Sequence, residues 1–257
     1  MKVCLFQQDI IWGDPEANRK HLDAVLASNQ GADLYVFPEM FTTGFATMDD
    51  ATVEESDGPV LDWMKARARQ LDAAVAGSVA LKTGPKCANR FYFVTPDGAV
   101  TSYDKRHLFN YGGEGARFEA GHERVVVSFR GVRFLLAVCY DLRFPVWLRN
   151  RDDYDAIIVV ANWPDVRSLA WNTLLQARAI ENQCYVLGCN RVGKDPACNY
   201  SGCTRVINPY GEIVASVPEY TEGMATAVLD MEHLRAFSHS FPVLEDADPF
   251  KFRSGTR

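Results

Sequence analysis

No stretch of this chain is apolar for the roughly 20 residues needed to cross a bilayer, which argues against a membrane-spanning helix. Basic residues are also in short supply. Lys and Arg number 27 against 33 Asp and Glu, for a net charge of -6 and a pI near 5.4. Nucleic-acid binding needs clustered Lys and Arg to neutralise phosphates, so that class of partner is not expected. Repeats, low-complexity tracts and linkers are missing, which points to one domain. Histidine is scarce at five residues, and only His107 stands at the end of a β-rich run, leaving a Cys-His catalytic pair with little support. The first residues turn polar at Gln7-Gln8-Asp9, too soon for a secretory leader, and read as a first strand. The seven cysteines are an odd number. Free thiols in a reducing, cytoplasmic setting are therefore the expectation.

What is present has the balance of a globular protein: 257 residues, 47% hydrophobic and 23% charged. Twelve β-rich runs are predicted. They are Val3–Gln8, Leu34–Phe37, Ala74–Val79, Phe91–Thr95, Val100–Tyr103, Val125–Phe129, Arg133–Val138, Ala156–Val160, Tyr185–Cys189, Thr204–Ile207, Ile213–Val217 and Ala225–Leu229. Helices are predicted at Pro15–Ala27, Val60–Leu71, Pro145–Asn150, Ser168–Asn182 and Met231–Phe237. Asp14 before Pro15 and Glu16 is a helix start signal. Pro96-Asp97-Gly98 and Asn208-Pro209-Tyr210-Gly211 each separate two β runs, so both predict antiparallel hairpins. Runs such as Phe134–Val138 are apolar at every position, which means burial on both faces of a sheet. Hairpins mixed with strand–helix alternation give an α/β fold with mixed sheets. Its expected extent is residues 1–235, with residues 236–257 as a tail lying on the domain or on a partner subunit.

Four positions suggest chemistry. Cys139 ends the apolar run Leu135-Leu136-Ala137-Val138, at the carboxyl end of a strand where α/β folds place clefts. A cysteine there is also compatible with simple core packing. Glu39 follows Phe37-Pro38 in apolar company, where a carboxylate needs a partner or a raised pKa; a cap or a salt bridge would serve equally. Lys105 lies in Asp104-Lys105-Arg106-His107-Leu108 at another strand end, a cluster that a solvated turn also explains. Glu114 lies among Gly112, Gly113 and Gly115, which permit a close backbone approach or a flexible loop. Together the four residue types suit one reaction. A thiol needs a base, a carboxylate in an apolar pocket can be that base, and a tetrahedral intermediate needs a cation or N–H donors. Lys105 and the backbone N–H of Tyr140 could supply the latter.

These segments resemble the nitrilase, or carbon–nitrogen hydrolase, superfamily. The resemblance rests on Phe37-Pro38-Glu39, Asp104-Lys105-Arg106-His107-Leu108 and Val138-Cys139-Tyr140-Asp141-Leu142-Arg143-Phe144-Pro145. Ala161-Asn162-Trp163-Pro164, Gln176–Asn182 and Cys189-Asn190-Arg191-Val192-Gly193 extend it in register from about Val3 to Leu229. The sequence around Glu39 and Cys139 is most similar to the bacterial omega-amidase branch. The resemblance implies a four-layer α-β-β-α sandwich that dimerises through helices, in a homodimer or higher homo-oligomer, with no metal or organic cofactor. It implies Glu39 as general base, Lys105 as the cation at the oxyanion, Cys139 as nucleophile and Glu114 as a positioning carboxylate. The expected substrate is a short omega-amide such as 2-oxoglutaramate or 2-oxosuccinamate. Its far carboxylate suggests an arginine, Arg143 first and Arg167 second, unless Arg143 is structurally paired with Asp141. Tyr140, Asn162, Phe109 and Trp163 are expected at the substrate, with Phe45 as a further wall.

Rival readings remain at this point. A nitrilase or an N-carbamoyl hydrolase would use the same Glu-Lys-Cys set. Cys184, Cys189, Cys198 and Cys203 could hold zinc in an interaction module, each pair enclosing four residues at the wide end of zinc-knuckle spacing, although Cys184 and Cys189 fall within or beside an apolar strand, where they read as filler. A catalytically inactive subunit is the last, disfavoured by the intact set of four.

Overall fold

The computed structural model describes residues 1–46 and 52–252, so the last five residues of the expected tail lie outside it. The first half of the chain runs β1 (Lys2–Gln7), α1 (Pro15–Ser28), β2 (Leu34–Val36), α2 (Pro59–Leu71), β3 (Ala74–Lys82), β4 (Cys87–Val94) and β5 (Val100–Asp104). After a short helix α3 (Glu114–Arg117), the pattern recurs as β6 (Val126–Phe129), β7 (Val132–Val138), α4 (Pro145–Leu148), β8 (Ala156–Ala161), α5 (Ser168–Asn182) and β9 (Tyr185–Asn190). Five strands follow, β10 (Val192–Lys194), β11 (Asn199–Ser201), β12 (Arg205–Ile207), β13 (Ile213–Ser216) and β14 (Gly223–Val228), and then α6 (Met231–Ser240).

Two six-stranded mixed sheets result, ordered β14-β1-β2-β3-β4-β5 and β13-β12-β9-β8-β7-β6. The centre of each is parallel, β1-β2-β3 in one and β7-β8-β9 in the other, and antiparallel strands flank it on both sides. Alternation along β1 shows why its run is continuously apolar. Val3 and Leu5 enter the main core between the sheets, whereas Cys4 and Phe6 pack with Leu22 and Leu26 of α1 and Met64 of α2. Each large side chain so buried contributes roughly 1.5–3 kcal/mol. On the far side, Trp171 and Leu175 of α5 pack on the second sheet. Gly188 of β9 permits their approach, since a Cβ there would lie 2.5 Å from a Leu175 methyl. The four-layer α-β-β-α arrangement is therefore present.

Local signals account for several boundaries. Asp14 caps α1 by accepting the Ala17 N–H at 2.9 Å, and Pro15 opens the helix. The Pro96-Asp97-Gly98 and Asn208–Gly211 turns join antiparallel pairs, β4–β5 and β12–β13. Helix α6 runs past the expected end at Phe237 to Ser240; Asp230 caps its start, and Phe237 packs against Tyr210 with ring centroids 4.1 Å apart. It thus continues through residue 236, where the tail was expected to begin. Beyond it, the Phe252 ring lies 5.0 Å from that of Trp147. Among the described residues, no helix is long and apolar enough to cross a membrane.

Candidate active site

The carboxyl ends of β2, β5, β7 and β8 converge on one cleft. Past β2, the chain stays tied to β3 through Phe37 N–H to Ala76 O at 2.8 Å and Met40 N–H to Ser78 Oγ at 3.1 Å. This holds Glu39 fully buried. Lys105 extends β5 by one residue, its N–H bonding to Asn89 O at 2.9 Å. Gly113 takes a left-handed φ of 79°, a conformation that favours glycine, and so starts α3 with Glu114 turned inward.

These three side chains form one ion cluster. Lys105 Nζ donates to Glu39 Oε1 at 2.9 Å and to Glu114 Oε2 and Oε1 at 2.9 and 3.1 Å. Asn89 Nδ2 donates to Glu39 Oε1 at 2.7 Å and to Glu114 Oε1 at 3.4 Å. The Asn162 N–H donates to Glu39 Oε2 at 2.8 Å, and the Phe109 N–H to Glu114 Oε2 at 2.6 Å. Every charged atom of the cluster has a partner, as buried ions require. Burial opposes the charge on Lys105, but the carboxylates of Glu114 and Glu39 outweigh it and raise its pKa well above the lysine range.

Cys139 begins a 3-10 turn, Cys139–Arg143, with φ at 47°. A left-handed non-glycine residue costs about 1–2 kcal/mol and marks a conformation that its surroundings impose. The side chain is half-buried and reaches the cleft surface. Burial pushes its thiol pKa well up, and the charge of Glu39 and a hydrogen bond to it act the same way, with Lys105 a partial offset. This environment favours the thiol over the thiolate.

The cleft holds about 310 Å³. Lys105, Glu114, Cys139, Tyr140, Phe109, Arg143, Asn162 and Trp163 all line it, as do Phe45 and Arg167. Glu39 is absent from its surface but bonds directly to Lys105 and Asn162. The sequence had left open a pairing of Arg143 with Asp141, and it does not form. Asp141 is taken up by Tyr103, His107 and Val138, while the Arg143 guanidinium lies 5.0 Å from the Trp163 ring centroid. Arg167 lies 5.3 Å from that of Phe109. His107 bonds to Asp141 at 2.8 Å and is not among the residues lining the cleft. A larger hollow of about 570 Å³ under the C-terminal tail contains no thiol and none of these residues.

Sequence reasoning missed Asn89, which bridges both carboxylates; an asparagine in the run Cys87–Val94 was the available signal. It also missed Trp12, Arg117 and Tyr200 on the cleft wall. The cysteines considered for zinc do not converge. Cys184 bonds to Arg178 O, Cys189 to Phe6 O and Cys203 to Glu219, and Cys198 lines the cleft. Among the described residues, no group of three or more His, Cys, Asp or Glu is placed to hold a metal ion.

Comparison with known proteins gives a consistent set of likenesses. The profile of the carbon-nitrogen hydrolase family matches residues 2–238. The chain is 50% identical to the omega-amidase YafV of Escherichia coli (strain K12) over 252 residues, 98% of each chain. It is 34% identical to the 2-oxoglutaramate amidase of Bacillus subtilis (strain 168), over 95% of this chain and 96% of that one. Among solved structures, XC1258 from Xanthomonas campestris, described as a CN-hydrolase superfamily protein with an arsenic adduct in its active site, superposes with a TM-score of 0.95. Its identity is 41%, covering 98% of this chain and 99% of that chain.

Proposed function

Since the chain belongs to the carbon–nitrogen hydrolase family, we propose that it is an omega-amidase, releasing ammonia from the terminal amide of 2-oxoglutaramate or 2-oxosuccinamate. The observation that carries this reading is the buried Glu39–Lys105–Glu114 cluster beside a thiol on the cleft surface. The names of the two curated relatives support the substrate class.

Glu39 takes the Cys139 proton as sulfur attacks the amide carbonyl carbon, so the thiolate forms only as it is consumed. Lys105, together with the Tyr140 N–H, faces the oxyanion; the leading N–H groups of a helical turn lack intrahelical partners. Collapse breaks the C–N bond, Glu39 returns its proton to nitrogen, and ammonia leaves a thioester on Cys139. Water then attacks this thioester, Glu39 accepting a proton from it, and the acid departs as the thiol reforms. Glu114 keeps Lys105 charged and in place. Asn162 adds a binding role: its Nδ2 donates to Glu39 O at 3.0 Å, which leaves its buried Oδ1 without a partner. An acceptor so placed suits an N–H of the substrate amide. Arg143, with Arg167 beside it, receives the distal carboxylate, and Phe45, Phe109 and Trp163 enclose the carbon chain.

The exposed apolar side chains Val146, Val166 and Leu169 around α4 and α5 support a homodimer formed through helices. Seven free cysteines support a reducing, cytoplasmic location. Residues 1–235 would constitute the hydrolase unit, with 236–257 packed on it or on the partner.

Ammonia release from 2-oxoglutaramate, glutamine, an aliphatic nitrile and an N-carbamoyl amino acid tests the assignment. The omega-amide should exceed the others in kcat/KM by at least an order of magnitude. Preference for the nitrile or the carbamoyl compound would replace the omega-amidase reading with one of its rivals.

A further inference from the structure

We infer that Asp141 and His107 form a positioning pair that holds Cys139 in register with Lys105, although neither lines the cleft. The inference rests on the assignment of Cys139 and Lys105 as the reacting pair. These two residues come from different sheets, Lys105 following β5 and Cys139 following β7. The Asp141 carboxylate joins the two strand ends. Its Oδ2 accepts the Val138 N–H at 3.0 Å and the Tyr103 hydroxyl at 2.7 Å. Its Oδ1 accepts the His107 N–H at 2.9 Å and His107 Nδ1–H at 2.8 Å. A carboxylate only accepts, which places the imidazole proton on Nδ1.

Lys105 is thereby bracketed by residues 103 and 107, both bonded to a group two residues beyond Cys139. Tyr103 strengthens the bracket, because its oxygen also accepts the Arg106 N–H at 3.1 Å and the Trp147 Nε1–H at 3.2 Å. The His107 ring stacks on Phe144 at 3.8 Å and 7°, so the imidazole is held from the side of the nucleophile turn as well. Such over-determination is what a left-handed Cys139 needs in order to persist. Four donors on one fully buried carboxylate exceed what closing a five-residue turn requires.

Asp141→Asn would turn a donor toward donors and endangers folding, so His107 carries the test. His107→Phe keeps the stack on Phe144 and removes the side-chain donor; His107→Asn returns a donor near the position of Nδ1. Three quantities are read: steady-state kinetics on 2-oxoglutaramate, the rate of Cys139 alkylation by iodoacetamide, and the melting temperature. His107→Phe should lower kcat by about 10- to 100-fold, the scale of a misplaced reacting group. KM should stay within about threefold of wild type and alkylation should slow. His107→Asn should move kcat and alkylation back toward wild type. An unchanged kcat in His107→Phe overturns the inference. So does a raised KM with kcat preserved, which would make His107 a substrate contact. A third overturning result is equal loss in both variants that follows the melting temperature while alkylation per folded molecule stays constant. Alkylation needs no substrate, so it reports on positioning even where the omega-amide reading fails.

Discussion

At the floor of the cleft, Glu39, Lys105 and Glu114 are no more than 6% exposed and every charged atom has a protein partner. At its mouth, Arg143 is exposed and Arg167 half-buried. Both guanidinium groups lie over aromatic rings, with no ion pair to a carboxylate among the described residues. The floor is closed and saturated, which keeps a fixed array in place for one kind of bond cleavage. The mouth keeps cationic donors without a carboxylate partner among the described residues, which leaves their N–H groups available to an external anion. Changes at the floor should therefore act on kcat, and changes at the mouth on KM.

Loss of the nucleophile is the largest expected effect. Cys139→Ala should reduce ammonia release by about 10⁴-fold or more while circular dichroism remains that of the wild type. Lys105→Met should follow, with kcat falling by about 10²- to 10³-fold as for a lost oxyanion donor. Two buried carboxylates would then face each other without a cation, costing about 3–5 kcal/mol. For a chain of this size that lowers the melting temperature by about 10 °C. An unchanged melting temperature would show that the cluster tolerates its missing charge, contrary to the picture of a saturated floor.

At the mouth the effects shrink and change character. Arg143→Met should raise KM for 2-oxoglutaramate by about 10- to 100-fold, the value of a charge-assisted hydrogen bond, and leave KM for an uncharged short amide nearly unaltered. Arg167→Met should do the same by only a few-fold. Equal losses on charged and uncharged amides would assign these arginines to packing and dissolve the contrast between floor and mouth.

The floor also predicts a pH dependence whose sign is fixed. Burial and Glu39 both disfavour the thiolate, so Cys139 keeps its proton at neutral pH. Alkylation of the free enzyme at Cys139 should rise by about tenfold per pH unit and show no plateau below the usual thiol value of 9.0. A plateau near pH 6 would instead reveal a preformed thiolate paired with Lys105.

Much of this was legible in the chain because local chemistry and tertiary context agree. Helix α5 occupies the predicted Ser168–Asn182, and the residues at three strand ends, Glu39, Lys105 and Cys139, meet where apolar runs turn polar. Other parts depend on partners far away in sequence. Strand β4 starts at Cys87 rather than Phe91, since pairing of Asn89 and Arg90 with β3 and β5 overrides their polar character. The β10–β11 pair is three residues per strand and presents no alternation for sequence to read. Asp141 chose Tyr103 and His107, 38 and 34 positions away, over the nearby Arg143, because the turn directs its carboxylate inward and leaves Arg143 exposed. Spacing gives no hint of such choices, and the resemblance carried the register that local pattern could not.

The central claim is that Cys139 forms a thioester with the acyl part of an omega-amide. Rapid acid quench of the enzyme turning over 2-oxoglutaramate, followed by peptide mass analysis, tests it most directly. A substrate-derived acyl adduct, equal in mass to the substrate less ammonia, should appear on the peptide containing Cys139 and disappear as substrate is exhausted. Steady ammonia release by Cys139→Ala, with no adduct on any cysteine, would contradict it.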